Sequence, residues 1–374
     1  KAIIFNFIYN VYMKLNYESS FKKIKDQLNS LSIKGYSKSR NFLNGDVSKL
    51  SAYISRGVIS ISDVYDKIIN TDASFEDKES FTRQLAWREY WQRSAIKLGN
   101  KLFIDIRKNQ DQVTNHGLAE TILNASTSIT AIDTAIKNLY ESGYVHNHNR
   151  LYIAALSCHI AKSHWLQPAR WLYYHLFDGD IASNHLSWQW VAGTNSHRTY
   201  IANQQNINRY CFTKQKDTYL DYDYDQIFLQ PVPECLKKTT QLVLKTQLNN
   251  TALPKLNPKL PTLIYNSYNL DPEWKKNIEA NRLLLLEPSH FKKYPVSEKV
   301  LQFVIDLSKN INNIQTYVGE LSDLIVLTNA PFYAKKHVLF NYNVIEQEEP
   351  EWLFDIHKEF SSFSSFWKKC IKPG

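Results

Sequence analysis

The stretch Asp178–Trp190 reads DGDIASNHLSWQW, and it decides how the rest of the chain is read. Two carboxylates, Asp178 and Asp180, flank a glycine, and an amide (Asn184) and two indoles (Trp188 and Trp190) follow within a few turns' length. Helical spacing puts Asp180 and Asn184, four residues apart, on one face, with Asp178 slightly round the axis. Upstream stand His146-Asn147-His148-Asn149-Arg150 and Trp165. The plain structural alternative for such a group is an ion pair that joins two helices, with the tryptophans packing a core.

Composition sets the frame. The chain has 374 residues, 45 Lys and Arg against 36 Asp and Glu, and a formal net charge of +9. That length exceeds one minimal core and predicts two domains. The positive balance favours a polyanionic partner, because long-range attraction concentrates phosphate backbones near the surface. Cys158, Cys211, Cys235 and Cys370 are widely separated and form no CxxC pair, so neither a disulfide framework nor a metal site is expected. The opening AIIFNFIYNVYM is interrupted by Asn6 and Asn10 and falls short of the roughly 20 apolar residues of a membrane span. It reads as a buried first helix with Phe5, Ile8, Tyr12 and Leu15 on one side, and a cytoplasmic location with no membrane partner follows.

Helical periodicity recurs along the first two thirds. Residues 46–69 read as a helix, a break at Gly57 and a second helix, and Glu79–Ile96, Ile129–Glu141, Asn149–Ser163 and Trp165–Leu176 read as further helices. A mainly α domain over residues 1–240 is therefore expected. Pro254, Pro258 and Pro261 mark a linker over 241–261. Beyond it, Thr262–Asn266, Arg282–Glu287, Gln315–Val318 and Leu324–Leu327 read as strands, and Ser297–Asn310 as a helix among them. This order predicts a small parallel α/β domain over 262–374.

The run DGDIASNHLSWQW, together with HNHNR and Trp165, resembles the flavin-binding core of the DNA photolyase and cryptochrome family. The resemblance implies a photolyase-like helical domain that holds FAD, followed here by a small α/β domain. In that family an α/β domain able to host an antenna pigment precedes the helical one. Leu263–Asp271 faintly resembles its opening, so the C-terminal domain is either a permuted antenna-type domain or an unrelated addition. The family loop's arginines are missing, which leaves the antenna pigment unknown.

The resemblance also carries residue roles. Val47–Ala52, VSKLSA, is similar to the family's phosphate motif, with Ser48, Leu50 and Ser51 in matching places and Val47 in place of a threonine. Tyr36 and Arg40 stand just upstream where an aromatic and an arginine meet the phosphates, and Arg88 joins the cofactor set. Arg150 is implied to pair with Asp178 beside the flavin ring, Asp180 to accept from the ring edge, and Asn184 to face flavin N5. Trp188 and Trp165 resemble the inner and middle members of an electron relay. Its outer member has no counterpart, because residues 109–128 contain no tryptophan. Trp171 or a tyrosine is the alternative end of that path.

In FTRQLAWREYW, residues 81–91, Trp87 matches the aromatic against which a flipped lesion stacks, and Gln84 stands where dimer-repair enzymes carry a glutamate. Asn147 is the residue seen in dimer repair, at the place where the (6-4) branch has histidine, so the site is mixed. Trp190 and Arg198 complete the implied substrate set. Three functions remain open: light-driven repair of pyrimidine photolesions in DNA by reduced FAD, a cryptochrome-like blue-light sensor that signals to a protein partner, and a DNA-binding or structural protein that has lost its flavin.

Overall fold

The computed structural model describes residues 17–196, 199–340 and 342–371. The apolar opening expected to form a first helix lies outside the described residues, as do His197 and Arg198. The principal helices are α1 (Phe21–Asn29), α2 (Ile61–Ile69), α3 (Phe75–Leu98), α4 (Thr130–Ser142), α5 (Asn147–Ala155), α6 (Leu166–His175), α7 (Ile181–Ala192), α8 (Gln204–Cys211), α9 (Glu298–Ser308) and α10 (Phe363–Cys370). Five strands, β1 (Thr262–Tyr265), β2 (Asn281–Leu286), β3 (Ile314–Val318), β4 (Phe332–Lys335) and β5 (Glu346–Glu348), follow the helical region. A largely helical region is thus succeeded by a smaller α/β one, as the periodicities predict. Among the described residues no helix is long and apolar enough to cross a membrane.

Contacts divide the chain into two compact units. Of the described residues, the first gathers residue 17, 34–47, 97–196 and 199–243. Its core is built from Ile132, Ile136 and Leu139 of α4, Tyr152 and Ile153 of α5, Trp171 and Leu172 of α6, and Trp188 and Val191 of α7. Helix α4 stops at Gly143, whose φ of 66° suits a residue without a Cβ; a Cβ there would meet the Phe177 ring at 2.2 Å. Helix α5 runs into a π-helical turn, Leu156–Ile160. A two-residue antiparallel pair, Leu118–Ala119 with Thr239–Thr240, ties the ends of this unit together.

The second unit gathers residues 18–33, 48–96 and 244–374. Its sheet is wholly parallel, with strand order β3-β2-β1-β4-β5. Strand β2 reads NRLLLL and is buried on both faces, the pattern of a central parallel strand covered from both sides. Helix α9 buries Val300, Leu301, Val304 and Leu307. The run Leu324–Leu327, expected as a strand, is corrected: Leu321–Ile325 is a helical turn. A reciprocal cap decides it, because the Glu320 side chain accepts from the Asp323 backbone while the Asp323 carboxylate accepts from the Glu320 N–H. The sequence reading omitted β4 and β5; β4 alternates buried and half-buried residues, and β5 has no fully buried one.

Within the second unit, α10 and the segment before it pack on α3. Phe363, Phe366 and Trp367 join Ala86 and Tyr90 in one apolar cluster. Glu89, fully buried, accepts from the Leu353 N–H at 2.7 Å and from Arg93 Nε at 2.9 Å, while Arg93 donates to the carbonyls of Ile356 and Phe354 at 2.6 and 2.9 Å. Burial raises the Glu89 pKa, with Arg93 and the two backbone donors opposing it.

Candidate functional site

The entry to α7 organises the polar group. Asp178 lies two residues before the helix cap, and Asp180 is the cap itself, its carboxylate accepting from the Ser183 N–H at 2.7 Å. This corrects the expectation that Asp178 sits round the helix axis: the helix begins at Ile181, and a cap residue keeps extended backbone so that its side chain can satisfy an orphan N–H. Arg150, on α5, places Nη2 at 2.8 and 3.0 Å from the two Asp178 oxygens and donates Nε to the Val145 carbonyl at 2.8 Å. Burial pulls the Arg150 pKa down, Asp178 together with Tyr144 and Tyr17 pulls it up, and the net shift is upward. Arg150 therefore stays cationic beside Asp178.

A recess of about 90 Å³ opens beside this pair. Its polar wall is Asn147, Arg150, Asp178, Asp180, Ser183, Asn184 and Ser187; its apolar wall is Leu151, Ala154, Leu172, Leu176, Trp188 and Val191. Asn184 donates its amide to the Ala169 carbonyl at 2.9 Å. The Ser183 hydroxyl is buried without a hydrogen-bond partner, a cost that a ligand oxygen or nitrogen in the recess would remove. Such a cavity, apolar on one side and carrying donors and acceptors on the other, suits an amphipathic heterocycle.

Around the recess the first unit adds residues that the sequence reading passed over. Tyr144 feels Arg150, Asp178 and Tyr36, and burial pushes its hydroxyl up to about 12; burial does the same to Tyr36, against the pull of Arg40. His146 is held at about 4 by burial, then by His148 and Arg150, with an opposing hydrogen bond to the Arg40 backbone. His185, one residue after Asn184, is driven down to about 3 by burial and by Arg170, and its Nε2 has no hydrogen-bond partner. The signal for these residues was their adjacency to Arg150 and Asn184, but polar neighbours in sequence do not reveal which side chains turn inward.

Of the predicted residues, the recess brings together Asn147, Arg150, Asp178, Asp180, Asn184 and Trp188. Trp165 and Trp190 do not line it. Trp165 is fully buried, with its ring 5.6 Å from that of His185, and Trp190 lies 5.7 Å from the Tyr200 ring. Tyr36 and Arg40 form and end a short helix, Tyr36–Ser39, of the same unit.

In the second unit, Leu50 is buried and precedes the short helix Ser51–Ser55, and the Ser48 hydroxyl accepts from the Leu50 N–H at 3.3 Å. Gln84, Trp87 and Arg88 are half-buried on α3. The Trp87 ring is stacked on Phe363, with centroids 3.6 Å apart and planes within 10°. Among the described residues no group of three or more His, Cys, Asp or Glu could hold a metal ion.

Known proteins resemble this chain over part of its length. The model of the FAD binding domain of DNA photolyase matches residues 81–249. A deoxyribodipyrimidine photo-lyase of Streptomyces griseus is 29% identical over 161 residues, covering 42% of this chain and 35% of that protein. Cryptochrome DASH of Danio rerio is 27% identical over 258 residues, covering 65% and 47%. The crystal structure of the Synechocystis sp. PCC6803 cryptochrome aligns with a TM-score of 0.47 at 21% identity, over 52% of this chain and 44% of that one. The chain thus spans between about a third and a half of the length of these curated relatives. Over residues 81–249 the chain is similar to the FAD binding domain of DNA photolyase, and the relatives it matches are named both as photo-lyases and as cryptochromes.

Proposed function

We propose that the recess beside Arg150 and Asp178 holds FAD and that the protein is a blue-light-responsive flavoprotein of the sensor type. The donor set supports the cofactor: an arginine–carboxylate pair, the Asp180 and Asn184 side chains and the unpartnered Ser183 hydroxyl face an apolar wall ending in Trp188. Bound there, FAD supplies blue-light absorption and one-electron chemistry. Arg150 and Asp178 would hold its polar edge, Asn184 would act on its protonation, and Trp188 with Trp165 would supply electrons. Tyr36, Arg40, Ser48, Leu50, Ser51 and Arg88 complete the cofactor set by resemblance.

The observation that favours a sensor is the Trp87 stack. An aromatic wall for an extruded base must be open to one, and at 3.6 Å Phe363 takes a face that a base would use. Gln84, in the place of the glutamate of dimer repair, agrees with this. The repair reading is favoured by Asn147, which lines the recess, and by the net charge of +9, which suits DNA. On that reading Gln84, Trp87, Asn147, Trp190 and Arg198 meet a pyrimidine photolesion.

The deciding experiment is illumination of short DNA carrying one defined lesion, with prereduced FAD-loaded protein under anaerobic conditions. The sensor proposal expects protein that is yellow as purified and whose oxidised flavin is reduced by light, and, once prereduced, no reversal of either the cyclobutane dimer or the (6-4) product. Reversal of the dimer would hand the function to repair. Colourless protein that takes up no FAD on reconstitution would reject both.

A further inference from the structure

The surroundings of Trp165 are built for more than packing. Its indole Nε1–H donates to Asp105 Oδ1 at 2.7 Å. The other Asp105 oxygen accepts from the Gln110 N–H at 2.8 Å, and Gln110 Oε1 accepts from the Trp165 N–H at 2.9 Å. Ring, carboxylate and glutamine are therefore held as one piece. His164 places Nε2 at 3.1 Å from Asp105 Oδ1 while its Nδ1 accepts from the Leu166 N–H, which makes Nε2 the protonated nitrogen and a second donor to the carboxylate.

We infer that Asp105 is the base that receives the indole proton of Trp165 when Trp165 gives up an electron toward Trp188. The inference rests on the proposed relay. Trp165 edges onto His185 at 5.6 Å, and His185 and Trp188 are three residues apart on α7, on neighbouring positions of one helix face.

Loss of an electron turns the indole into a radical cation, whose N–H is far more acidic than that of neutral indole and within reach of a carboxylate base. Trp165 has no exposed surface from which water could take the proton, and Asp105 Oδ1 is the acceptor in hydrogen-bond contact with it. One electron leaves toward the oxidised Trp188, the Nε1–H bond breaks and an O–H bond forms on Asp105; the return of electron and proton reverses the step. The oxidant of Trp188 is photoexcited oxidised flavin. Deprotonation in place keeps the hole from running back to Trp188. Asp105 keeps part of its side chain in contact with solvent, so the proton has a way out.

Flash oxidation with a photoexcited ruthenium(II) polypyridyl complex and persulfate tests the base assignment without relying on flavin. The Trp165 signal is the part of the transient absorption lost in Trp165→Phe. In the wild type it should be the deprotonated indolyl radical, with a rise slowed in heavy water. In Asp105→Asn it should be the protonated radical cation, shorter-lived by about tenfold, equivalent to about 1.4 kcal/mol, and Asp105→Glu should restore the deprotonated species. A wild-type radical that stays protonated, a wild type with no Trp165-dependent signal, or an unchanged deprotonated radical in Asp105→Asn would each overturn the inference. The wild-type spectrum and its heavy-water dependence decide the matter even if Asp105→Asn fails to fold. Absence of light-driven FAD reduction, with the deprotonated radical still formed by the ruthenium complex, would sink the relay and leave Asp105 as the base.

Discussion

Two arginine–carboxylate pairs, Arg150–Asp178 in the first unit and Arg93–Glu89 in the second, have closely similar distances and different work. Glu89 gives its oxygens to Arg93, to Leu353 N–H and more weakly to Phe354 N–H, while Arg93 spends two nitrogens on the carbonyls of Phe354 and Ile356. Apart from the Glu89–Arg93 contact itself, each of those bonds pins a stretch of backbone. Arg150 and Asp178 instead border an open recess whose wall contains a buried hydroxyl without a partner. An ion pair saturated by its own chain is a clamp, whereas one beside unfilled volume and unmet hydrogen-bonding capacity is a place for a ligand.

Removing the clamp should have the largest effect. Glu89→Ala strands Arg93 and two backbone donors in a buried place and should cost about 3–5 kcal/mol of unfolding free energy, read by denaturant titration. The comparison breaks if the folded fraction of that variant also loses its flavin. Asp180→Ala should come next, removing a helix cap worth about 1 kcal/mol and lowering FAD occupancy below that of Asp178→Asn, which keeps shape and some hydrogen bonding. Equal, undiminished flavin absorbance in the two variants would show that the ring does not use this edge.

Acid should sharpen the contrast. His146 and His185 are held at about 4 and about 3, below the ordinary histidine value of 6.5, so below that value the unfolded chain binds protons that the folded one refuses. Stability should therefore fall as pH drops from about 6.5 toward 4, by up to about 1.4 kcal/mol per pH unit for each histidine. Glu89, raised by burial, has the opposite sign: its contribution is present below the ordinary glutamate pKa and is lost as pH rises through the raised one. A melting temperature flat between pH 6.5 and 4 in the wild type, or one as steep in His185→Asn, would count against the histidine assignment. The smallest effect is expected for Ser183→Ala. Apoprotein stability should change by less than about 0.5 kcal/mol, since no side-chain hydrogen bond is lost, while FAD should dissociate faster. A large loss of apoprotein stability would mean that the hydroxyl is structural.

The legible part of the site was the part carried by local spacing. Asp178, Asp180, Asn184 and Trp188 lie within three turns of chain, and Arg150 stands in a helix whose period is readable, so their grouping could be anticipated. His185 was not, although it sits inside the same motif, because its burial depends on the rings of Trp165, Tyr173 and Phe103 around it. Leu324–Leu327 was misread because apolar composition alone does not separate a strand from a helical turn; the Glu320–Asp323 cap does.

By itself the sequence determined the helical series, the parallel strands β1 to β3 and the polar motif at the start of α7, since each follows from periodicity or caps over a few residues. Only the tertiary structure decided that Asp105 meets Trp165 across 60 positions and that Phe363 covers Trp87 across 276 (363 − 87). Those contacts are set by how helices and loops pack, and no local pattern of side chains encodes which distant partner will fill a given face.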